Sequence, residues 1–299
     1  MTPHPVAASS PASPVRRAAT AFYQRPRAQL AALLAAPIGW LVIAYLGSLA
    51  LFLVTSFWQV DSLTGNVVPK PTLANYGELL GDETYRTITI RTLGMALAVT
   101  ATTIIVAFPI AFYMARVASA RSRGLLVVSI LLPLWSGYLV KVYAWRLILS
   151  EHGILNWLLA PLGLRGPGYS IEAVWIVESY LWLPYMIIPI FAGLERIPAS
   201  LFEASADLGG RAGITLRRVI LPLALPAVIA GAIFVFSLTL GDYITPTLVS
   251  NTKFIGNTVY DSVGVAGNQP FAAAFAMVPV TIMLIFLVIA RRLGAFEAV

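Results

Sequence analysis

The chain has 299 residues, of which 59% are hydrophobic and only 11% charged, with a formal net charge of +7. So apolar a composition excludes a water-soluble globule, and the absence of cysteine excludes a disulfide framework, thiolate metal sites and a cysteine nucleophile. Nineteen of the twenty basic residues lie outside the apolar runs or at their ends, the usual excess of cytoplasm-facing membrane loops, so nucleic acid is not an expected partner.

In chain order, an arm rich in Ala, Pro, Ser and Arg covers 1–28 and carries too few large apolar residues to fold, so it is expected to be disordered and cytoplasmic. The uncharged stretch at 30–58 that follows is far longer than the roughly 7–15 apolar residues of a cleaved leader. Spans are read at about 30–58, 92–115, 124–148, 173–194, 219–243 and 271–290, each close to the ~20 helical residues that cross a bilayer core. Lipid offers the backbone no hydrogen-bond partners, and the runs lack the alternation of barrel strands. The expected fold is therefore an all-α integral membrane protein of six transmembrane helices, with residues 29–299 forming the membrane domain. Pro109, Pro133, Pro184, Pro189 and Pro279 fall inside spans and should kink them.

Counting Lys and Arg by loop orients the chain. Arg16, Arg17, Arg25 and Arg27, then Arg116, Arg121 and Arg123, then Arg196, Arg211, Arg217 and Arg218, then Arg291 and Arg292 all fall on one side. The other side holds Lys70, Arg86, Arg91, Arg165 and Lys253, with Lys141 and Arg146 at most added. Both termini and the loop at 195–218 are thereby expected in the cytoplasm.

That loop should contain a short helix. Pro198 precedes it, Ser200 and Glu203 have the spacing of a capping box, and Gly209-Gly210 supply a stop. Leu201, Ala204 and Leu208 share one face, while Glu203 and Asp207 lie on another. A helix of two turns needs support from outside itself, which either lipid headgroups or a protein partner could supply.

The stretch EASADLGGRAGITLRRVILP, Glu203 to Pro222, resembles the EAA-x3-G-x9-I-x-L-P signature of membrane subunits of bacterial ABC importers. Glu203, Ala204, Gly209, Leu221 and Pro222 fall in register, while Ser205 replaces the second Ala and Val219 replaces Ile. The resemblance implies a type I importer permease fold in which this loop is the coupling helix, so Ser200, Glu203, Ala204, Asp207 and Gly209 would meet a separate ATPase. The chain carries no G-x-x-x-x-G-K-[ST] phosphate loop, so ATP and Mg would be bound by that partner and no cofactor by this chain. TLANY at 72–76, LLPLWSGYLVKVYAW at 131–145 and GDYITP at 241–246 are similar to spermidine/putrescine permeases. Six helices without an internal repeat make half of a path, so the resemblance further implies a second, homologous permease subunit. Two ATPase subunits, a periplasmic solute-binding protein and the bacterial inner membrane complete the assembly it implies.

A path for polyammonium chains should offer carboxylates spaced by aromatic faces. Glu178 and Asp242 are the acids within or at the edge of spans. Helical spacing places Glu178, Trp182 and Tyr185 on one face of the fourth span and Trp135, Tyr138 and Trp145 on one face of the third; Tyr243 adjoins Asp242. Two readings of Glu178 stay open, a substrate role and a side chain that snorkels outward or pairs with Lys141. Interfacial anchoring is the favoured account of Trp145, Trp175 and Tyr180, near outer helix ends. Rival cargoes are another small cation, an opine or other amino-acid derivative, or an oxyanion. An ion-gradient-driven secondary transporter is the rival of another class. An enzyme is disfavoured because His4 and His152 stand apart, leaving no histidine cluster and no Ser-His-acid grouping.

Overall fold

The computed structural model describes residues 26–61 and 63–292, so the arm read at 1–28 lies outside the described residues except for its last three. The described residues divide between Val54 and Thr55 into two units. In the first, α1 (Pro26–Trp40) passes through a π-helical turn at Leu41–Leu46 into α2 (Gly47–Thr55). Together they make an apolar stretch, Gln29–Thr55, long enough to cross a bilayer.

The second unit opens with a two-stranded antiparallel ribbon, β1 (Gln59–Val60) and β2 (Val67–Val68), followed by α3 (Ala74–Gly81). Asn75 Nδ2 holds this entry in place by donating to the carbonyls of Ser56 and Trp58 at 2.9 and 2.8 Å. The second span, α4 (Glu83–Phe112), begins well before the expected apolar run. Asp82 caps it by accepting from the Thr84 N–H at 2.7 Å, which lets the charged turns around Glu83, Arg86 and Arg91 stay helical beyond the apolar stretch. A π-helical turn, Tyr113–Val117, extends it.

The third span departs from expectation. Instead of one helix at 124–148, α5 (Ala120–Trp135) and α6 (Tyr138–Leu149) meet at a bend of 94° across Ser136 and Gly137. Both break residues are extended, and Pro133 inside the last turn of α5 offers no backbone donor to continue it; Ser136 Oγ instead donates to the Pro133 carbonyl at 2.8 Å. Apolar residues flank the break on both sides, so hydropathy concealed it. The segment α7 (Ile154–Leu159) follows, and then the fourth span, α8 (Ile171–Glu195), capped by Ser170.

Beyond α8 come the loop helices α9 (Ala199–Asp207) and α10 (Ala212–Thr215), a π-helical turn at Leu216–Ile220, and the fifth span α11 (Leu221–Gly241). Two short helices, α12 (Ile244–Val249) and α13 (Ile255–Gly264), lead to the last span, α14 (Gln269–Arg292). Among the described residues five helices are long and apolar enough to cross a membrane, and the bent pair makes a sixth if it counts as one span. The core of the unit is α8 packed against both α4 and α11. Val99, Ala107 and Ala111 of α4, Val177, Met186, Ile190 and Leu194 of α8, and Ala224 and Val235 of α11 are all fully enclosed. Many of these residues are small, as expected where helices associate by close van der Waals packing rather than by expelling water.

Candidate functional site: a buried carboxyl cluster and an exposed loop helix

Two breaks in the spans build the first site. α11 ends at Asp242, whose backbone turns extended, and α12 starts two residues later. Asp242 joins them: its Oδ1 accepts from the Ile244 and Thr245 N–H groups at 2.9 and 3.3 Å. Facing it, the 94° bend places Tyr138 at the first position of α6, and its hydroxyl donates to the Asp242 carboxylate at 2.5–2.6 Å. The same hydroxyl lies 2.7 Å from Thr245 Oγ1. Gly256 of α13 closes the back of the site. A methyl there would lie 2.5 Å from the Asp242 carbonyl oxygen, so only glycine lets α13 approach this backbone.

Aromatic faces continue from the carboxyl. Tyr138 stacks on Trp182 with centroids 5.8 Å apart and planes 7° from parallel, and Trp182 meets Tyr185 edge-on at 6.0 Å. Tyr243 stacks on Tyr260 at 4.9 Å. Tyr138, Trp182, Ser237, Asp242 and Tyr243 line an open-sided concavity of about 310 Å3.

Glu178 lies one turn from Trp182 on α8 and is 1% exposed, so it neither snorkels outward nor, among the described residues, forms an ion pair with Lys141. Glu178 Oε2, Trp182 Nε1 and Thr239 Oγ1 are all buried without a hydrogen-bond partner among the described residues. Each such group costs about 1–3 kcal/mol, which is unusual for a core and suited to a surface that receives a polar ligand.

Of the residues singled out for the path, the structure brings Tyr138, Glu178, Trp182, Tyr185, Asp242 and Tyr243 into one neighbourhood. Trp135 does not join them. It sits on the far side of the bend and is 92% exposed, because the break destroys the continuous helical face on which it was grouped with Tyr138 and Trp145. Trp145 packs instead against Tyr180, at 5.4 Å. Thr239 and Thr245 are additions. Thr239 precedes Asp242 by three residues on the same helix, and Thr245 lies inside GDYITP, but neither hydroxyl announces itself by charge or aromaticity.

The second site is the loop helix α9. Its stop is as the glycines indicate: the Gly209 N–H donates to the Ala206 carbonyl at 2.9 Å and the Gly210 N–H to that of Ser205 at 2.8 Å. Gly209 takes φ +73° to make this closure, a left-handed conformation that side-chain-bearing residues resist. Its start differs from expectation. Pro198 is the N-cap, no side chain caps the helix, and Ser200 lies exposed within the first turn, so the capping box with Glu203 does not form. Proline, fixed near φ −63°, already sets the extended entry two residues earlier.

The face carrying Leu201, Ala204 and Leu208 is the outward one, with Leu208 89% exposed; Glu203, Asp207 and Gly209 are exposed as well. Phe202 and Ser205 form the inner side, and Ser205 Oγ lies 2.8 Å from Thr215 Oγ1.

The model of the binding-protein-dependent transport system inner membrane component family matches residues 107–295, which include both sites. The chain belongs to that family. It is 44% identical over 293 residues to the inner membrane ABC transporter permease protein YdcU of Escherichia coli (strain K12), covering 93% of each chain. To the spermidine/putrescine transport system permease protein PotB of the same organism it is 30% identical over 261 residues, 85% of this chain and 94% of the relative. Among solved structures, a bacterial alginate ABC transporter in complex with an alginate pentasaccharide-bound periplasmic protein superposes with TM-score 0.68 at 17% identity, over 93% of this chain and 96% of that one. The type I importer permease fold is thus shared, and the protein is a multi-pass membrane permease subunit of an ABC importer.

Within the permease, the buried cluster and α9 lie toward opposite ends of α8. Among its described residues no group of three His, Asp or Glu side chains could hold a metal ion. Its chemistry is that of carboxyls, hydroxyls and aromatic faces.

Proposed function

We propose that this permease forms half of the translocation path for a small cationic solute, polyamine foremost, and that a separate ATPase drives it through the loop around Glu203–Gly209. The observation that carries the cargo is the pairing of two buried carboxyls, Glu178 and Asp242, with the stacked faces of Tyr138 and Trp182. Ammonium groups bind to such a surface by charge pairing and cation–π contact, whereas an oxyanion gains nothing from it. PotB is named for spermidine and putrescine, and a transporter of the acidic polysaccharide alginate has the same fold, so local charge rather than fold must set the cargo.

The drive would enter at α9. Its outward face combines an exposed apolar strip with Glu203 and Asp207, a surface better matched to a protein groove than to water. Two ATPase subunits carrying ATP and Mg would bind there and at the equivalent loop of a homologous second permease, with a periplasmic solute-binding protein delivering cargo on the other side. Both termini are then cytoplasmic. Metal cations and amino-acid derivatives such as opines are the remaining cargoes for this architecture.

Uptake of labelled putrescine and spermidine in cells with and without the gene tests the cargo. Loss on deletion, restored by the gene, is expected; unchanged uptake of both would contradict the polyamine assignment while leaving the importer architecture in place.

A further inference from the structure

The carbonyls at the cytoplasmic end of α8 are claimed by a residue from another span. Arg116 lies half-buried in the π-helical turn that extends α4, and its Nη2 donates both to the Leu194 carbonyl and, at 2.5 Å, to that of Ile197. Leu194 belongs to the last turn of α8, and Ile197 immediately precedes Pro198, the cap of α9. The guanidinium carbon also lies 4.7 Å from the centre of the Phe202 ring, on the inner side of α9. One side chain therefore grips the end of a span, the three-residue linker and the loop helix together.

A second arginine braces the first. Arg123 Nε donates to the Met114 carbonyl at 3.1 Å and Nη2 to that of Ala115 at 3.4 Å, within the turn that carries Arg116, while Nη1 pairs with Glu195 Oε1 at 2.9 Å. The planar guanidinium suits this work because its donors diverge in a fixed fork and its face packs on an aromatic ring. The negative end of the α8 dipole favours a cation at this place.

We propose that Arg116 is the positioning residue that fastens α9 to α4 and α8, so that displacement of the loop helix moves both spans as one body. This rests on the reading of α9 as the joint to the ATPase. Without the clamp, α9 would keep its ties to α10 and to the π-helical turn before α11, but toward α8 it would be held only by the short linker and the Phe202 ring, and its displacement would be absorbed there before reaching Glu178 and Trp182.

The chain contains no cysteine, so a pair of introduced cysteines labels it specifically. Spin labels at Ala206→Cys on α9 and Ile105→Cys on α4, both exposed positions, report the distance between the two helices. The measurement is made on the assembled transporter in lipid nanodiscs, free of nucleotide and trapped with ATP and vanadate. With Arg116 present, one narrow distance distribution is expected, unchanged between the two states. Arg116→Ala should at least double its width in the trapped state while the complex stays assembled and hydrolyses ATP, with a lowered melting temperature as the two carbonyl bonds are lost, and Arg116→Lys should fall between.

A distribution as narrow in Arg116→Ala as with the arginine would overturn the proposal. So would a distance that shifts between the two states by more than its own width when Arg116 is present. Failure of the joint itself reads differently: Gly209→Trp would keep its uptake, and the transmitting role of Arg116 would fall with it.

Discussion

The two ends of α8 handle polar groups in opposite ways. Toward Glu178 the helix buries a carboxyl oxygen and an indole N–H that find no partner among the described residues; toward Leu194 its terminal carbonyls are claimed by an arginine from a neighbouring span. Unmet groups in a low-dielectric core are costly, and a ligand that meets them recovers that cost. The met carbonyls at the other end stiffen the junction, although the buried Nε of Arg116 itself is left without a partner among the described residues. One end of the helix is thus suited to exchanging partners and the other to holding them, a division that fits the cargo site and the drive site proposed for its two ends.

The comparison can be broken most severely at the drive end. Gly209→Trp places a bulky side chain at φ +73°, at a conformational cost of about 1–2 kcal/mol, and displaces the exposed turn after α9. Uptake is expected to fall to background with the protein still inserted, checked by immunoblot of membranes beside the transport assay. At the cargo end, Asp242→Asn removes a charge while keeping the shape that accepts the Ile244 and Thr245 N–H groups. A hydrogen bond to a charged group contributes about 1.5–3 kcal/mol, so putrescine uptake should drop about tenfold or more at equal amounts of assembled complex.

Smaller effects sharpen the same contrast. Gly256→Ala forces a methyl against the Asp242 carbonyl and should cost about 1–3 kcal/mol, read as a lower melting temperature accompanied by reduced uptake. Ser205→Ala removes the bond to Thr215 and should cost only about 0.5–1.5 kcal/mol, lowering the melting temperature slightly and leaving uptake close to normal.

How far these features could be read from the residues depends on what kind of signal marks them. Spans declare themselves by uninterrupted apolarity, and the Gly209-Gly210 stop by the special freedom of glycine, so both were legible. The bend at Ser136–Gly137 was not, because hydropathy is blind to a break whose flanks are equally apolar; the misplacement of Trp135 follows from that single omission. Ser200 had the right spacing to cap, but Pro198 had already fixed the entry to the helix. Glu178 and Asp242 stood out as charges in lipid, and their shared neighbourhood needed the packing of α8 on α11. Arg116 counted only as a cytoplasmic charge, since its partners are carbonyls remote in sequence and carbonyls carry no sequence signal.

The central claim, that the outward face of α9 is where the motion enters, is tested most directly by crosslinking. In this cysteine-free chain, Leu208→Cys carries a short photoactivatable crosslinker on the side chain that is 89% exposed on that face. In membranes containing the whole transporter, the account predicts an adduct between this chain and the ATPase subunit, its yield changing when ATP and vanadate trap the complex. An adduct formed only with lipid, with none to the ATPase in either state, would contradict it.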